Sequence, residues 1–213
     1  TLITEQLAKW MKKVGFKHLT VSLDGVQEIN DLQRPRPNGT GSFKNVMRGI
    51  YYIKNAGLKF SLRSTVTDIG VRRMADFVDF VASEIFPNGG SVHFEPMSLC
   101  GRATNTTLMT NASLFLENYM EAKDRGGELG IKIKCSMDTF RQEKKRFCGA
   151  NYCTMFCVSP IGKVSACSRV TKEEDLGADL FFYAEHNIKS HNFMVNQIQK
   201  ERIISHGKLP KKC

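Results

Sequence analysis

The chain of 213 residues is long enough for one large domain, or for a large domain and a small one, and 41% of its residues are hydrophobic, as in proteins with a buried core. Its net charge is +10, but the basic residues do not form one block with interleaved aromatic residues, so we expect no nucleic-acid partner. The sequence has no run of about 18 apolar residues and no signal-peptide pattern at its start, so we expect a cytoplasmic protein without a membrane partner.

Helix and strand patterns alternate along the first two thirds of the chain. A helix capped by Thr4 precedes the strand HLTVSLDG, and a helix capped by Ser42 precedes the strand LKFSLRSTVT. A third helix leads to the strand SVHFEPM, and ASLFLENYMEAKDRGG has the apolar spacing of a fourth helix. Strands separated by helices of this length predict an α/β fold with a parallel sheet and crossover helices.

The predicted strands alternate between apolar and polar residues, although a parallel strand covered on both faces is usually apolar throughout. We therefore expect helices on one face and a wet, ligand-holding cavity on the other, as in a curved sheet or partial barrel. Four polar side chains are expected to converge in that cavity, away from the helices: Ser22, Arg63, Thr65 and Glu95. The alternative is a one-sided sheet whose polar face is simply solvated.

The pattern changes near residue 140, where we place a boundary between a domain of residues 1–140 and a second of residues 141–213. The second segment contains CGANYCTMFCVSPIGKVSAC, in which Val158 and Val164 flank a predicted hairpin turn at Pro160–Gly162. Four of the seven cysteines of the chain lie in this stretch with the spacing C-x4-C-x3-C-x9-C: Cys148, Cys153, Cys157 and Cys167. Disulfides are disfavoured by the expected compartment, but spacing alone leaves zinc and iron–sulfur sites open.

Several stretches resemble radical SAM enzymes with a SPASM extension, especially those that modify peptides. TVSLDGVQEINDLQRP is similar to the fourth barrel strand of that family and the loop after it, and GSFKNVMRGIYYIKNAG to the next helix. LRSTVT is similar to the fifth strand and HFEPMSLCGRA to the sixth. The first SPASM signature is Cys, 9–15 residues, Gly, four residues, Cys, which Cys148, Gly162 and Cys167 fit. The resemblance covers nearly the whole chain.

The resemblance implies a partial parallel (β/α) barrel followed by a small, cysteine-rich β-hairpin domain. It implies a protein that abstracts hydrogen from a peptide or protein side chain, binds S-adenosylmethionine (AdoMet) and 4Fe-4S clusters, and receives electrons from a reductant protein. Ser22 would lie near the ribose of AdoMet and Arg63 near its methionine carboxylate, or else beside Glu95. Asp24 is the fourth predicted cofactor-binding residue, with a structural Asp-Gly turn as its alternative.

For the auxiliary clusters, the resemblance implies Cys148 and Cys167 as ligands that approach one another, with Cys153 near the same point. Cys213 falls where the first cysteine of the next SPASM signature would stand. Cys157 is as well explained as a small buried residue. Arg34 and His93 are weaker candidates for the cofactor site.

The sequence also departs from the family pattern. It lacks the C-x3-C-x2-C loop that holds the catalytic cluster and the Gly-Gly-Glu motif, so we expect an internal fragment that does not cleave AdoMet by itself. Sulfatase-maturing members have an Asp that acts as the base directly after the second cysteine of the first signature. This chain has Ser168 there, which disfavours that activity. The alternative function is a metal- or cluster-binding docking module without turnover.

Overall fold

The computed structural model describes residues 3–97, 109–139 and 148–206. The chain divides into two units, Thr1–Thr139 and Phe140–Cys213. The elements of the first unit are α1 (Glu5–Lys13), β1 (Leu19–Ser22), α2 (Gln27–Gln33), α3 (Phe43–Asn55), β2 (Phe60–Val66), α4 (Met74–Phe80), β3 (Gly90–Pro96), α5 (Ala112–Glu128) and β4 (Ile131–Lys134). A 3₁₀ turn at Val71–Arg73 leads into α4, and a π-helical turn at Val81–Ile85 extends it.

The four strands of the first unit form one sheet in the order β1-β2-β3-β4, and every neighbouring pair is parallel. The alternation of helices and strands dictates this arrangement, since a parallel pair needs a long crossover connection. The predicted α/β fold with a parallel sheet is therefore confirmed.

The apolar residues of the strands face the helices and form the core of the first unit. Leu62 of β2 and Val92 of β3 are fully buried, and Phe94 of β3 stands 6.1 Å from Phe77 of α4 between ring centroids. Helix α3 contributes Ile50 and Ile53 to the same cluster. This packing occupies only one face of the sheet, so the alternate strand residues point away from the helices.

The opposite face carries the polar strand residues and is open to solvent in the described chain. Ser22 and Arg63 are exposed, and Thr65 and Glu95 are partly buried. The four residues do lie on one face away from the helices, because the register pairs Ser22 with Arg63 and Thr65 with Glu95. The wet cavity expected on this face stays a prediction, since the four described strands form an open sheet.

Helices α1 and α3 both begin where predicted, but only α1 is capped by the predicted side chain. The Leu7 N–H donates to the Thr4 hydroxyl at 3.2 Å, which caps α1. Ser42 makes no side-chain cap to α3. Instead the Phe43 N–H donates to the carboxylate of Asp31 at 2.7 Å. A Cβ atom at Gly41 would lie 2.1 Å from that carboxylate, so glycine is what permits this approach.

The second unit contains an antiparallel sheet in the order β5-β6-β7-β8. Its elements are a 3₁₀ turn at Gly149–Tyr152, β5 (Cys157–Val158), β6 (Lys163–Ser165), α6 (Ala178–Phe181), β7 (Phe182–Asn187), β8 (Asn192–Val195) and α7 (Gln197–His206).

Strands β5 and β6 form the hairpin expected from the sequence. Val158 pairs with Val164, and the Gly162 N–H donates to the Ser159 carbonyl at 3.0 Å to close the turn. Gly162 has a φ of 79°, which glycine adopts without a Cβ penalty. A small core of buried residues, which includes Val164, Tyr183 and Ile203, holds the sheet against α7. Among the described residues, no helix is long and apolar enough to cross a membrane.

The Phe94–Phe77 contact gives a stability test of the first unit. Phe94 is 1% exposed, so Phe94→Ala leaves a cavity and should lower the free energy of unfolding by about 3–5 kcal/mol. Leu32→Ala is the control, because Leu32 is 66% exposed and its truncation should change that free energy by about 0.5 kcal/mol at most. Urea denaturation of both variants checks this; similar losses would contradict the assigned core.

Candidate functional site

A row of polar side chains crosses the sheet toward the carboxyl ends of its strands. Ser22 pairs with Arg63, Arg63 with His93, and His93 with Lys134, so one residue of each strand contributes to the row. Because paired residues of neighbouring strands project from the same face, these side chains share the face opposite the helices. Ligand sites of parallel α/β proteins lie at the carboxyl ends of the strands, which makes this row the candidate site.

Arg63 is an exposed guanidinium at the middle of this row. Within the described part of the chain it forms no ion pair, and the predicted alternative of pairing with Glu95 is not observed. The guanidinium fork is suited to bidentate binding of a carboxylate or phosphate. The adjacent hydroxyl of Ser22 is exposed too, so the two side chains together present hydrogen-bond donors to a ligand on this face.

Asp24 follows β1 and forms hydrogen bonds with residues of the neighbouring elements. Its carboxylate, 3% exposed, accepts hydrogen bonds from Arg34 Nε at 2.5 Å and Arg34 Nη2 at 3.2 Å. It also accepts from the Thr65 N–H at 2.9 Å, while the Ser64 hydroxyl donates to the Asp24 carbonyl at 3.2 Å. These contacts link the loop after β1 to β2 and to the end of α2.

The contacts give Asp24 a structural role, and its predicted binding to cofactor stays a prediction. Both carboxylate oxygens are already engaged within the protein, and the side chain is turned inward. Its interactions fix the chain just after Ser22 and at Thr65, two residues beyond Arg63. Asp24 and Arg34 therefore position the candidate site, through an ion pair in which the Asp24 carboxylate is buried.

Glu95 lies beside Thr65 in register, one position beyond the polar row. Its Oε2 atom accepts hydrogen bonds from His93 Nε2 at 2.8 Å and from the Ser136 hydroxyl at 2.7 Å. Burial raises the pKa of Glu95, but these two hydrogen bonds and the His93 charge outweigh it, so the net pKa is lowered. Glu95 is therefore a carboxylate at neutral pH, and the backbone N–H of Ser136 also donates to it.

Cys148 and Cys167 are accessible thiols in the second unit. Cys148 is exposed and its Sγ lies 3.7 Å from Asn151 Oδ1, a contact at the start of the 3₁₀ turn. Cys167 is partly buried just after β6, and its backbone is fixed by the Ser165 hydroxyl, which accepts from the Cys167 N–H at 3.0 Å. Both cysteines are free, so both sulfurs are open to metal ligation.

Cys153 has a different environment from these two. It is 8% exposed, belongs to the small core with Tyr183, and has a φ of 52° in the left-handed region. Burial raises the pKa of the Cys153 thiol, although the charge of Lys200 opposes the shift. Metal ligation needs the thiolate, so Cys153 in this arrangement is a poorer ligand than Cys148 or Cys167.

The predicted gathering of Cys148, Cys153 and Cys167 at one point is not observed. Within residues 3–97, 109–139 and 148–206, no group of three or more His, Cys, Asp or Glu side chains is placed to hold a metal ion. The fourth predicted ligand, Cys213, lies outside the described residues, as does Cys100. The described residues alone thus do not make a complete cluster site.

The sequence did not indicate the contacts that three residues make at the candidate site. Arg34 binds Asp24 rather than a ligand, and Ser136 binds Glu95 from the turn after β4. Gln33 donates to the Thr65 carbonyl at 3.0 Å and accepts from the Thr67 hydroxyl. These partners are 10 to 41 residues apart, and no local spacing in the sequence indicates such pairs.

No family model matches this chain. It is 33% identical over 124 residues, 58% of its length, to Fe-coproporphyrin III synthase of Methanosarcina barkeri (strain Fusaro / DSM 804). It is 31% identical over 80 residues, 38% of its length, to the serine-type anaerobic sulfatase-maturating enzyme of Bacteroides thetaiotaomicron. A solved structure of native anSMEcpe with bound AdoMet and Kp18Cys peptide matches the whole chain with a TM-score of 0.68 and 20% identity.

The chain corresponds to only part of each of these proteins. It spans 29% of the coproporphyrin synthase, 19% of the sulfatase-maturating enzyme and 60% of the chain in the solved structure. At 20% identity, the solved structure shows a shared fold rather than a shared activity.

The Asp24–Arg34 pair gives a test of the site's framework. Arg34→Ala leaves a carboxylate that is 3% exposed without its cation, and should lower the free energy of unfolding by about 1.5–3 kcal/mol. Arg36→Ala removes an exposed guanidinium from the same loop and should cost about 0.5 kcal/mol at most. A double-mutant cycle with Asp24→Asn, followed by urea denaturation, measures the coupling. Additive effects of the two single substitutions would show that the Asp24–Arg34 ion pair does not stabilise the fold.

Proposed function

We propose that this chain forms part of a radical SAM enzyme with a SPASM extension, and the relatives and the solved structure support this proposal. In this proposal the first unit is a segment of the (β/α) barrel, and its carboxyl-end polar row binds AdoMet. The second unit is the start of the cysteine-rich extension. One observation carries the proposal: Ser22 pairs in register with Arg63, which is exposed and has no ion-pair partner among the described residues.

The residues of the row fit the polar groups of AdoMet. The Arg63 guanidinium would bind the methionine carboxylate through two hydrogen bonds. The Ser22 hydroxyl, on the neighbouring strand, would donate to or accept from a ribose hydroxyl. The Glu95 carboxylate would accept a hydrogen bond from an amino group, since Glu95 is ionised at neutral pH.

The framework of the site limits how far these groups can move. The Asp24 carboxylate bonds to the Thr65 N–H and to Arg34, so the ends of β1 and β2 stay in register. Gln33 bonds to both Thr65 and Thr67, which fixes the end of β2 from the side of α2. Preorganised donors bind a ligand without the cost of ordering them first.

Cys148 and Cys167 are the proposed ligands of an auxiliary 4Fe-4S cluster, with Cys153 as a further candidate. Cys213 is the candidate ligand of a second auxiliary cluster. Thiolates are suitable soft ligands for iron–sulfur clusters. The pair is accessible, whereas Cys153 would need its small core to open before ligation. When bound, AdoMet and iron–sulfur clusters would supply the radical chemistry that removes a hydrogen atom, with electrons from a reductant protein.

A peptide or protein side chain is the proposed substrate. The support is the fold shared with a protein whose solved structure contains a peptide. The second candidate is a tetrapyrrole, supported by the 33% identity to Fe-coproporphyrin III synthase. A docking module that binds a cluster without turnover is the third, and it would not bind AdoMet at the polar row.

AdoMet binding tests the assignment of Arg63. Titration calorimetry of the chain with AdoMet should show binding that Arg63→Gln weakens by about tenfold or more, since a hydrogen bond to a charged group contributes about 1.5–3 kcal/mol. Arg72→Gln is the matched control, because Arg72 is an exposed guanidinium in the turn before α4. Equal affinities for both variants, or no binding by the parent chain, would count against the proposed site.

Iron content tests the assignment of the cysteines. After anaerobic reconstitution, the Cys148→Ala, Cys167→Ala variant should contain at most about half of the iron and sulfide of the parent chain, because two of the four cluster ligands are lost. Cys135→Ala should match the parent, since Cys135 is a buried residue of the first unit. Stoichiometric zinc without iron, or equal iron in all three proteins, would refute cluster binding by this pair.

A further inference from the structure

The ligand-facing side of the sheet has an uneven charge. The residues of the four strands include three permanent cations on this face, Arg63 of β2 and Lys132 and Lys134 of β4, and all three are exposed. Glu95 is the single acidic residue within the same strands. The register places Lys132 beside Ser91 and Lys134 beside His93, so both lysines belong to the polar face.

The acids nearest this face already form hydrogen bonds within the protein. Glu95 is engaged by His93 and Ser136, and Asp24 is held inward by Arg34. In the described part of the chain, neither lysine forms an ion pair. The face therefore keeps a net positive charge after its internal pairs have been counted.

Some cations on the helices of the first unit are paired with acids. Lys9 pairs with Glu5 at 2.6 Å on α1. Arg125 of α5 pairs with Asp79 at 2.6 Å and with Glu128 at 2.7 Å. Lys9 and Arg125 are thus accompanied by acids, while Lys132 and Lys134 form no ion pair among the described residues and lie on a face proposed to bind ligands.

The spacing of the two lysines matches an extended chain. Alternate residues of a strand are about 6.6 Å apart along its axis, and so are alternate side chains of an extended peptide. Arg63 lies two strands from Lys134, about 10 Å away, so one carboxylate bound at Arg63 cannot also occupy the lysines. The lysines are left for a second anionic group.

We infer that Lys132 and Lys134 form a subsite for an acidic segment of the peptide substrate, next to the AdoMet-binding row. The inference rests on the proposed function and adds a substrate class to it: peptides with carboxylates at alternate positions. Charge complementarity of this kind contributes mainly to specificity and to the rate of association.

A defined peptide tests the inference on the whole chain. The probe is a fluorescein-labelled octapeptide that alternates glutamate with glycine, measured by fluorescence anisotropy at low ionic strength. The variant is Lys132→Gln, Lys134→Gln. The control is Lys44→Gln, Lys59→Gln, which removes the same charge from the exposed surface of α3 and from the residue before β2.

We expect the Lys132→Gln, Lys134→Gln variant to bind the acidic peptide about three- to tenfold more weakly, as two exposed ion pairs would give. The control should bind like the parent, and a peptide with glutamine in place of glutamate should bind poorly to all three. Equal weakening in both double variants would mean a nonspecific effect of net charge and would overturn the inference. Tighter binding of an eight-nucleotide oligothymidylate than of the peptide would overturn it in favour of a nucleic-acid surface.

The two proposals can fail separately. AdoMet calorimetry on the same preparations reports on Arg63, and the peptide measurement reports on the lysines. Lysine-dependent peptide binding without AdoMet binding would support the subsite and refute the proposed cofactor site. AdoMet binding with no preference for the acidic peptide would refute the subsite and leave the proposed function standing.

Discussion

The in-register parallel pairing of the four strands is the constraint on which the rest of the first unit depends. Side chains alternate along each strand, so a slip of one residue in β2 would turn Arg63 toward the helices and Leu62 toward water. The fully buried Leu62 makes such a slip costly. Hydrophobic burial on one face thus determines which polar residues lie together on the other. The hydrogen bonds of Asp24 with Arg34 and Thr65 stabilise this alignment at the carboxyl ends of the strands.

The second unit is organised by a different constraint, because its sheet is small and its core contains few residues. Tyr183 and Cys153 belong to that core, and the pKa of Tyr183 is raised by burial and by the nearby Cys153 and Cys157 thiols. Two of the four clustered cysteines therefore lie near one buried tyrosine, while Cys148 and Cys167 are more accessible. The cysteines share a stretch of sequence without sharing an environment.

The sequence predicted the features that depend on local patterns. The alternating elements, the Thr4 cap and the polar strand faces follow from residue spacing, and the structure contains each of them. Features set by distant residues could not be read in this way. Asp31 replaces Ser42 as the cap of α3 from eleven residues upstream of it in the chain, and Asp24 is buried only because Arg34 and Thr65 reach its carboxylate. Burial of Cys153 likewise depends on Tyr183 and Ile203, far away in sequence.

The most direct measurement of the central claim is a ¹⁵N-resolved NMR spectrum of the arginine side chains during addition of AdoMet. If the carboxyl-end row binds AdoMet, the Nε–H signal of Arg63 shifts progressively, because its fork binds a carboxylate. The Arg72 signal stays in place and serves as the internal reference, since Arg72 precedes α4 and lies outside the row. An unchanged Arg63 signal at saturating AdoMet, or shifts confined to residues of the second unit, would contradict the account.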